Sequence, residues 1–402
     1  MKTIALVDPI WGGHHATYLR VFSEALLKLG HQVIVFCPEP ENLKSRLVAC
    51  HGIQPGVWRA VAYQLPSKQM IARSCLGTRA VALERLSNLA HVLSKTEQAL
   101  NSPIDLVFFS FFDTFIYQFQ IALDFDCRIR RRFSGLYFHP WYLRVNPRYY
   151  WFRRGPLNPD AVLHSRYCRS VAVLDEGIRS KLSKRLGGKS VVCFPDITEE
   201  ECSDSPTAIE NELQNRTKGR RVVGLLGSLD KRKGLLDFVR HVAVMKNDPI
   251  CFLIAGEVIE HSFSEEENRV ISNFMANPPE NAFTYRGFIG DGVPFNRLVR
   301  ACDLLYAVYH GFPHSSNMLT KAACMNVPVV VSDQYLMAER VKRFNLGFTI
   351  RENSPEDFQS LITSGKAFAL QSEERFERGC LDYMKEHSFD RLVISFQELL
   401  EG

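Results

Sequence analysis

Short apolar runs, each closed by a turn and followed by a helix-length amphipathic stretch, recur along this chain, break once, and start again. Such alternation points to an α/β fold with parallel strands, because a parallel strand needs a crossover before its neighbour can pair. Residues 3–7 form the first apolar run, Gly12 and Gly13 the turn, 16–29 a helix stopped at Gly30, and 31–37 the second run. Residues 79–100 read as helix, 105–109 and 134–138 as strands, and 170–174 with 191–194 complete a doubly wound sheet. The break covers 196–220, which is acidic at first, carries Pro206 and shows one short helical patch over 209–213. A second sheet then begins: strand 222–226, basic turn 227–234, helix 235–245, helix 264–277, and strands over 250–255, 284–287, 304–308 and 327–331. Residues 355–400 are helical in character.

The expected division is one doubly wound domain over 1–196, an interdomain region over 197–220, a second such domain over 221–375, and a helical tail over 376–402 packing back on the first. A length of 402 residues asks for two domains on its own account. The strand C-terminal ends of both sheets should open on a cleft, the expected ligand site.

With 46% hydrophobic and 23% charged residues, disorder is excluded, and a net charge of +5 is too small to call for nucleic acid. Eleven cysteines without a CxxC pair favour free thiols in a reducing cytoplasm. Met1 to Asp8 runs straight into a strand pattern, so no leader is expected. The longest apolar stretch, 106–123, is interrupted by Asp113, Gln118 and Gln120, short of the ~20 residues a spanning helix needs. Between Cys127 and Arg154, however, stand eight arginines, nine aromatics and no acid. That surface suits an anionic membrane at its inner face or a phosphate-bearing acceptor. The bland alternative is an aromatic core edge with solvated arginines.

Five turns carry the chemistry. Gly12, Gly13, His14 and His15 follow the first strand and open a helix, where glycines allow close approach and the helix N-terminus favours an anion; an ordinary βα turn is equally consistent with the glycines. The turn Gly227-Ser228-Leu229-Asp230-Lys231-Arg232-Lys233-Gly234 puts three cations together, able to neutralise a leaving diphosphate or merely solvated. His139, after the 134–138 strand, and Asp113, after 105–109, sit where side chains face a cleft. Residues 306–333 place Gly311, His314, Ser315, Ser316 and Asn317 between a strand and a helix, where backbone amides hold anions. Asp124 and Asp126 form a DxD, but at the end of a helix-like segment, so no metal site is read there.

Together these positions resemble the retaining GT-B glycosyltransferases of family 4, also called glycosyltransferase group 1, most strongly over 221–348. The resemblance implies two Rossmann-like domains, the N-terminal one for the acceptor and the C-terminal one for a nucleotide-sugar donor, without metal or cofactor. Lys233 matches the family's diphosphate-binding lysine, while Ser228 replaces its arginine, with Arg232 or Lys231 as substitutes. Gly311, Ser315, Ser316 and Asn317 fall on the diphosphate. His139 matches the histidine near the transferred sugar and is assigned with Asp113 to catalysis. Gly12, Gly13, His14, His15, His310 and His314 line the cleft, and Lys321 and Gly256 fall near ribose and base. His310 and Lys321 stand at the family's two glutamates, separated by ten residues in place of seven. Lysine only donates hydrogen bonds, where glutamate accepts them.

The activity implied is transfer of a sugar to a glycan or lipid-linked hydroxyl. Rival readings are a degenerate GT-B protein that binds a nucleotide sugar or partner without turnover, and a nucleotide-sugar epimerase, for which the turns supply no carboxylate pair.

Overall fold

Two compact units divide the chain, residues 1–195 with 388–402, and residues 196–387. The structure, a computed structural model, describes residues 1–50, 56–65, 75–117, 119–145, 158, 160–245 and 249–402.

Seven strands build the first unit: β1 (Thr3–Val7), β2 (Gln32–Cys37), β3 (Trp58–Ala62), β4 (Leu106–Phe109), β5 (Phe133–Tyr137), β6 (Ser170–Val173) and β7 (Ser190–Cys193). They pair in parallel in the order β3-β2-β1-β4-β5-β6-β7. β1, β4 and β5 are buried along their whole length, which is why they read as unbroken apolar runs and not as alternating ones. Phe109, Phe112, Phe125 and Phe133 pack together on one side of this sheet. Phe22, Phe108, Phe194 and Phe396 pack in a second group.

Six strands build the second unit: β8 (Arg221–Leu226), β9 (Ile250–Gly256), β10 (Ala282–Arg286), β11 (Leu304–Ala307), β12 (Val329–Ser332) and β13 (Gly347–Ile350). Their parallel order, β10-β9-β8-β11-β12-β13, reverses between β8 and β11, as the first sheet reverses between β1 and β4. At such a reversal the following loops diverge and leave a crevice at the strand C-terminal ends. Helix starts follow the capping rules: Thr207 and Ser264 each pair reciprocally with a glutamate three residues on.

The structure differs from the sequence reading at three places. The strands β3 and β13 and the helices Pro40–Cys50, Val293–Arg300 and Tyr335–Phe344 were not anticipated. Residues 197–220 are no linker: they belong to the second unit, with Ala208–Thr217 as a full helix. The tail divides at Ser388, so that Glu374–Glu386 lies in the second unit and Phe389–Glu401 in the first. There Phe396 meets the rings of Phe22 and Phe194.

Candidate active site

In the second unit, the loops after β8 and β11 meet at the strand reversal. Gly227 adopts φ 98°, and Gly256, at φ 150°, packs so closely that a Cβ there would lie 1.8 Å from the Gly227 carbonyl oxygen. Gly256 therefore serves the approach of two strand ends, a backbone role. Asp230 caps the short turn that follows, its Oδ1 accepting from the Lys233 amide at 2.9 Å.

The three cations of this turn have different circumstances. Lys231 Nζ is bound to Glu267 at 2.7 Å. Arg232 lies 3.0 Å from Asp230 and stacks over Phe312, 4.5 Å from its ring centroid, and over Tyr309 at 5.2 Å. Lys233 has no carboxylate partner among the described residues. Its Nζ sits 5.8 Å from the Tyr309 ring centroid and would be 3.0 Å from a Cβ on Gly227. Beside it, exposed Ser228 makes no side-chain hydrogen bond among the described residues. An uncommitted ammonium over a glycine at a strand reversal is equipped to meet an anion.

The second loop is tied to the first by the His310 amide, which donates to the Arg232 carbonyl at 2.8 Å. His310 Nε2 pairs with Asp237 Oδ2 at 2.9 Å. That hydrogen bond raises the His310 pKa above 6.5 and holds Asp237 below its ordinary value. Gly311, at φ 55°, donates its amide to both oxygens of Glu352 at 3.1 Å, and Ser332 Oγ donates to Glu352 Oε1 at 2.8 Å. Glu352, a carboxylate fixed against the turn, was missed by the sequence reading. It enters directly after β13, a strand too short and too near the sheet edge to stand out.

Several expected ligand donors have other partners. Ser315 Oγ donates to Asp196 Oδ2 and accepts from Arg340 Nη1 at 2.6 Å. Asn317 donates through Nδ2 to the Ile197 carbonyl at 2.7 Å and accepts from Thr198 Oγ1 at 3.1 Å. Ser316 is the N-cap of the helix Asn317–Cys324, and His314 packs edge-on against Phe312. Lys321 is 3% exposed, with Nζ 2.7 Å from Asp291 Oδ1 and 3.0 Å from Asn296 Oδ1. These side chains anchor the segment 196–198 and the loop before Val293–Arg300.

In the first unit, two His–Asp pairs share one end of the sheet. Asp8, buried just after β1, holds His15 Nδ1 at 2.9 Å. Asp113, after β4, accepts from the amides of Phe138 and His139 at 2.7 and 2.9 Å and contacts His139 Nδ1 at 3.1 Å. The Phe111 ring packs against both imidazoles, with centroids 5.0 Å from His15 and 5.7 Å from His139. Each carboxylate orients its imidazole through Nδ1. Gly12 and Gly13 form the turn ahead of His14, the N-cap residue; only Gly13 needs a positive φ, 65°. Of the arginine-rich 127–154 surface, residues 146–154 lie outside the described residues. Arg131 and Arg144 are bound to Glu97 and Asp175.

Among the described residues no three His, Cys, Asp or Glu side chains gather as metal ligands, and no helix is long and apolar enough to cross a membrane.

Residues 220–364 match the sequence model of a family described as Glycosyl transferases group 1. The matched residues lie within the second unit. No curated protein matches the chain. Among solved structures, it is similar to a sucrose-phosphate synthase from Thermosynechococcus elongatus, with TM-score 0.70, 15% identity, and coverage of 100% of this chain and 98% of that one. HepE from Anabaena, in complex with UDP and glucose, gives TM-score 0.67 and 15% identity with both chains fully covered. A glycosyltransferase from Rickettsia africae gives TM-score 0.64 and 14% identity, covering 99% of this chain and 97% of that one. At these identities the likeness shows the fold.

Proposed function

We propose that this chain is a glycosyltransferase that moves a sugar, a hexose or related unit, from a nucleoside-diphosphate donor to a hydroxyl of a glycan or lipid-linked acceptor. Retention of the anomeric configuration and independence from metal are part of the proposal. The group 1 family match and the fold support the reading, and the observation that carries it is Lys233, the uncommitted cation at the strand reversal of the second unit.

In the reaction, the bond between the anomeric carbon and the terminal phosphate oxygen breaks, and the acceptor oxygen bonds to that carbon while its proton passes to the departing diphosphate oxygen. Negative charge builds on the departing diphosphate while the sugar becomes oxocarbenium-like. Lys233, with the turn that follows Gly311, meets that charge, and a fixed cation stabilises it more in the transition state than in the bound donor. His310, paired with Asp237, fixes the start of this turn against the first loop. His139, oriented by Asp113, is the group assigned to the sugar hydroxyls.

HepE was solved with UDP and glucose, so UDP-glucose is the first donor to try. The test is release of nucleoside diphosphate from UDP-, GDP- and ADP-sugars, with glycan and lipid-linked hydroxyls as acceptors. Transfer by the wild type, reduced about 100-fold or more in Lys233→Ala, is expected from the loss of one charge-stabilising contact. Binding of a donor without turnover for any acceptor would instead favour a binding protein.

A further inference from the structure

We infer that the opposite edge of the first sheet, at the strand N-terminal ends, binds a compact anion carrying two or more phosphoryl groups. A cavity of about 1280 Å³ opens there, lined by Lys2, Arg128, Arg130, Arg132, Arg166 and Arg169. Arg132 directly precedes β5 and Arg169 directly precedes β6, and the Arg169 amide donates to the Phe133 carbonyl at 3.2 Å. Phe133 pairs with Cys168, so Arg169 lies two residues along the neighbouring strand from the position opposite Arg132, and both side chains line the cavity. Both are exposed, and neither guanidinium has a side-chain partner among the described residues.

The carboxylates lining the cavity have other partners. Glu97 binds Arg131 and the Ile104 amide, Asp105 accepts from the Thr3 amide at 2.7 Å, and Glu401 accepts from Gln397 at 3.0 Å. Arg130 is steadied by the Cys127 carbonyl at 2.9 Å, and Arg166 stacks on Tyr167 with its Nε 3.9 Å from Asp126 Oδ2. Guanidinium groups without a carboxylate partner, as at Arg132 and Arg169, present planar forks that fit phosphate oxygens two at a time. The volume exceeds what one phosphate fills. His139, at the other end of β5, lies roughly 20 Å away at ~3.3 Å per residue, so this site is separate from the sugar-transfer chemistry.

Titration with tripolyphosphate at low salt, followed calorimetrically, tests the site in full-length protein carrying Lys233→Ala, which silences the diphosphate turn. Adding Arg132→Ala and Arg169→Ala should weaken binding at least tenfold with an unchanged melting temperature, and the double Arg→Lys variant should fall between. Sedimentation with cardiolipin vesicles, whose headgroup carries two phosphates, against phosphatidylcholine vesicles distinguishes the source. Arginine-dependent binding to cardiolipin vesicles identifies a membrane headgroup, and arginine-dependent binding of tripolyphosphate alone identifies a free anion. Equal binding by parent and double variant, or none to either probe, overturns the inference.

Discussion

Lys321 Nζ sits 2.7 Å from Asp291 Oδ1 inside the second unit, on a side chain only 3% exposed. A lysine that the sequence offered to a ribose is thus one half of an ion pair, with Asn296 Oδ1 accepting from the same ammonium at 3.0 Å. Removing one partner of such a pair strands the other charge, which costs about 3 kcal/mol where that partner keeps some access to water. Lys321→Met should therefore lower stability by that amount. Lys321→Met with Asp291→Asn should recover most of it. Chemical denaturation of the two single variants and the double variant measures the coupling, and additive losses would contradict the pairing.

Gly256 and Gly12 form a contrasting pair. An alanine Cβ at Gly256 would lie 1.8 Å from the Gly227 carbonyl oxygen, whereas nothing stands within 4 Å of one at Gly12. Gly256→Ala should cost at least about 4 kcal/mol or prevent folding, and Gly12→Ala should stay within about 0.5 kcal/mol of the wild type. Denaturation midpoints decide it.

The His310–Asp237 pair predicts a pH dependence. The His310 pKa is raised above 6.5, so between that value and the raised one the folded state binds more protons than the unfolded state. The pair's contribution is full below 6.5 and is lost as pH rises through the raised value. Asp237→Asn should remove this part of the fall in melting temperature between about pH 6 and 8. Thermal melts of both proteins across that range check it.

Acidification acts through other histidines. His387 is buried, accepts the Asp196 amide on Nδ1 at 2.9 Å and stacks on Tyr383 with centroids 4.1 Å apart. Burial pushes its pKa well below 6.5, and burial brings His241 down to about 4. Each is neutral in the folded state while its unfolded counterpart takes a proton, so stability is lost as pH falls below 6.5. His387→Gln, which keeps an acceptor for Asp196, should flatten the decline between about pH 6.5 and 5. An unchanged slope would remove His387 from the acid response.

The fold was legible because β1, β4, β8, β9 and β12 are buried on both faces and announce themselves as apolar runs. β3, with Arg59 and Ala62 exposed, and β13, four residues beginning at a glycine, lack that signature. Missing β13 meant missing Glu352, which follows it. Spacing from a strand end made the positions of Lys233 and His139 legible, and their assigned roles came from the resemblance. Ser315 and Asn317 were legible as helix-start donors, but their partners Asp196 and Ile197 come from about 120 residues earlier. No local pattern encodes that distance. Lys321 had the same fate, since Asp291 belongs to a different loop.

The central claim is that Lys233 is held free to meet a nucleoside diphosphate. Calorimetric titration of UDP, GDP and ADP into wild type and Lys233→Ala tests it most directly, with a melt of each unliganded protein alongside. The account predicts that at least one nucleotide binds the wild type and binds the variant at least tenfold more weakly, while the unliganded melting temperatures agree because Lys233 has no carboxylate partner to lose. Equal affinity in the two proteins, or binding of none of the three nucleotides to the wild type, would contradict it.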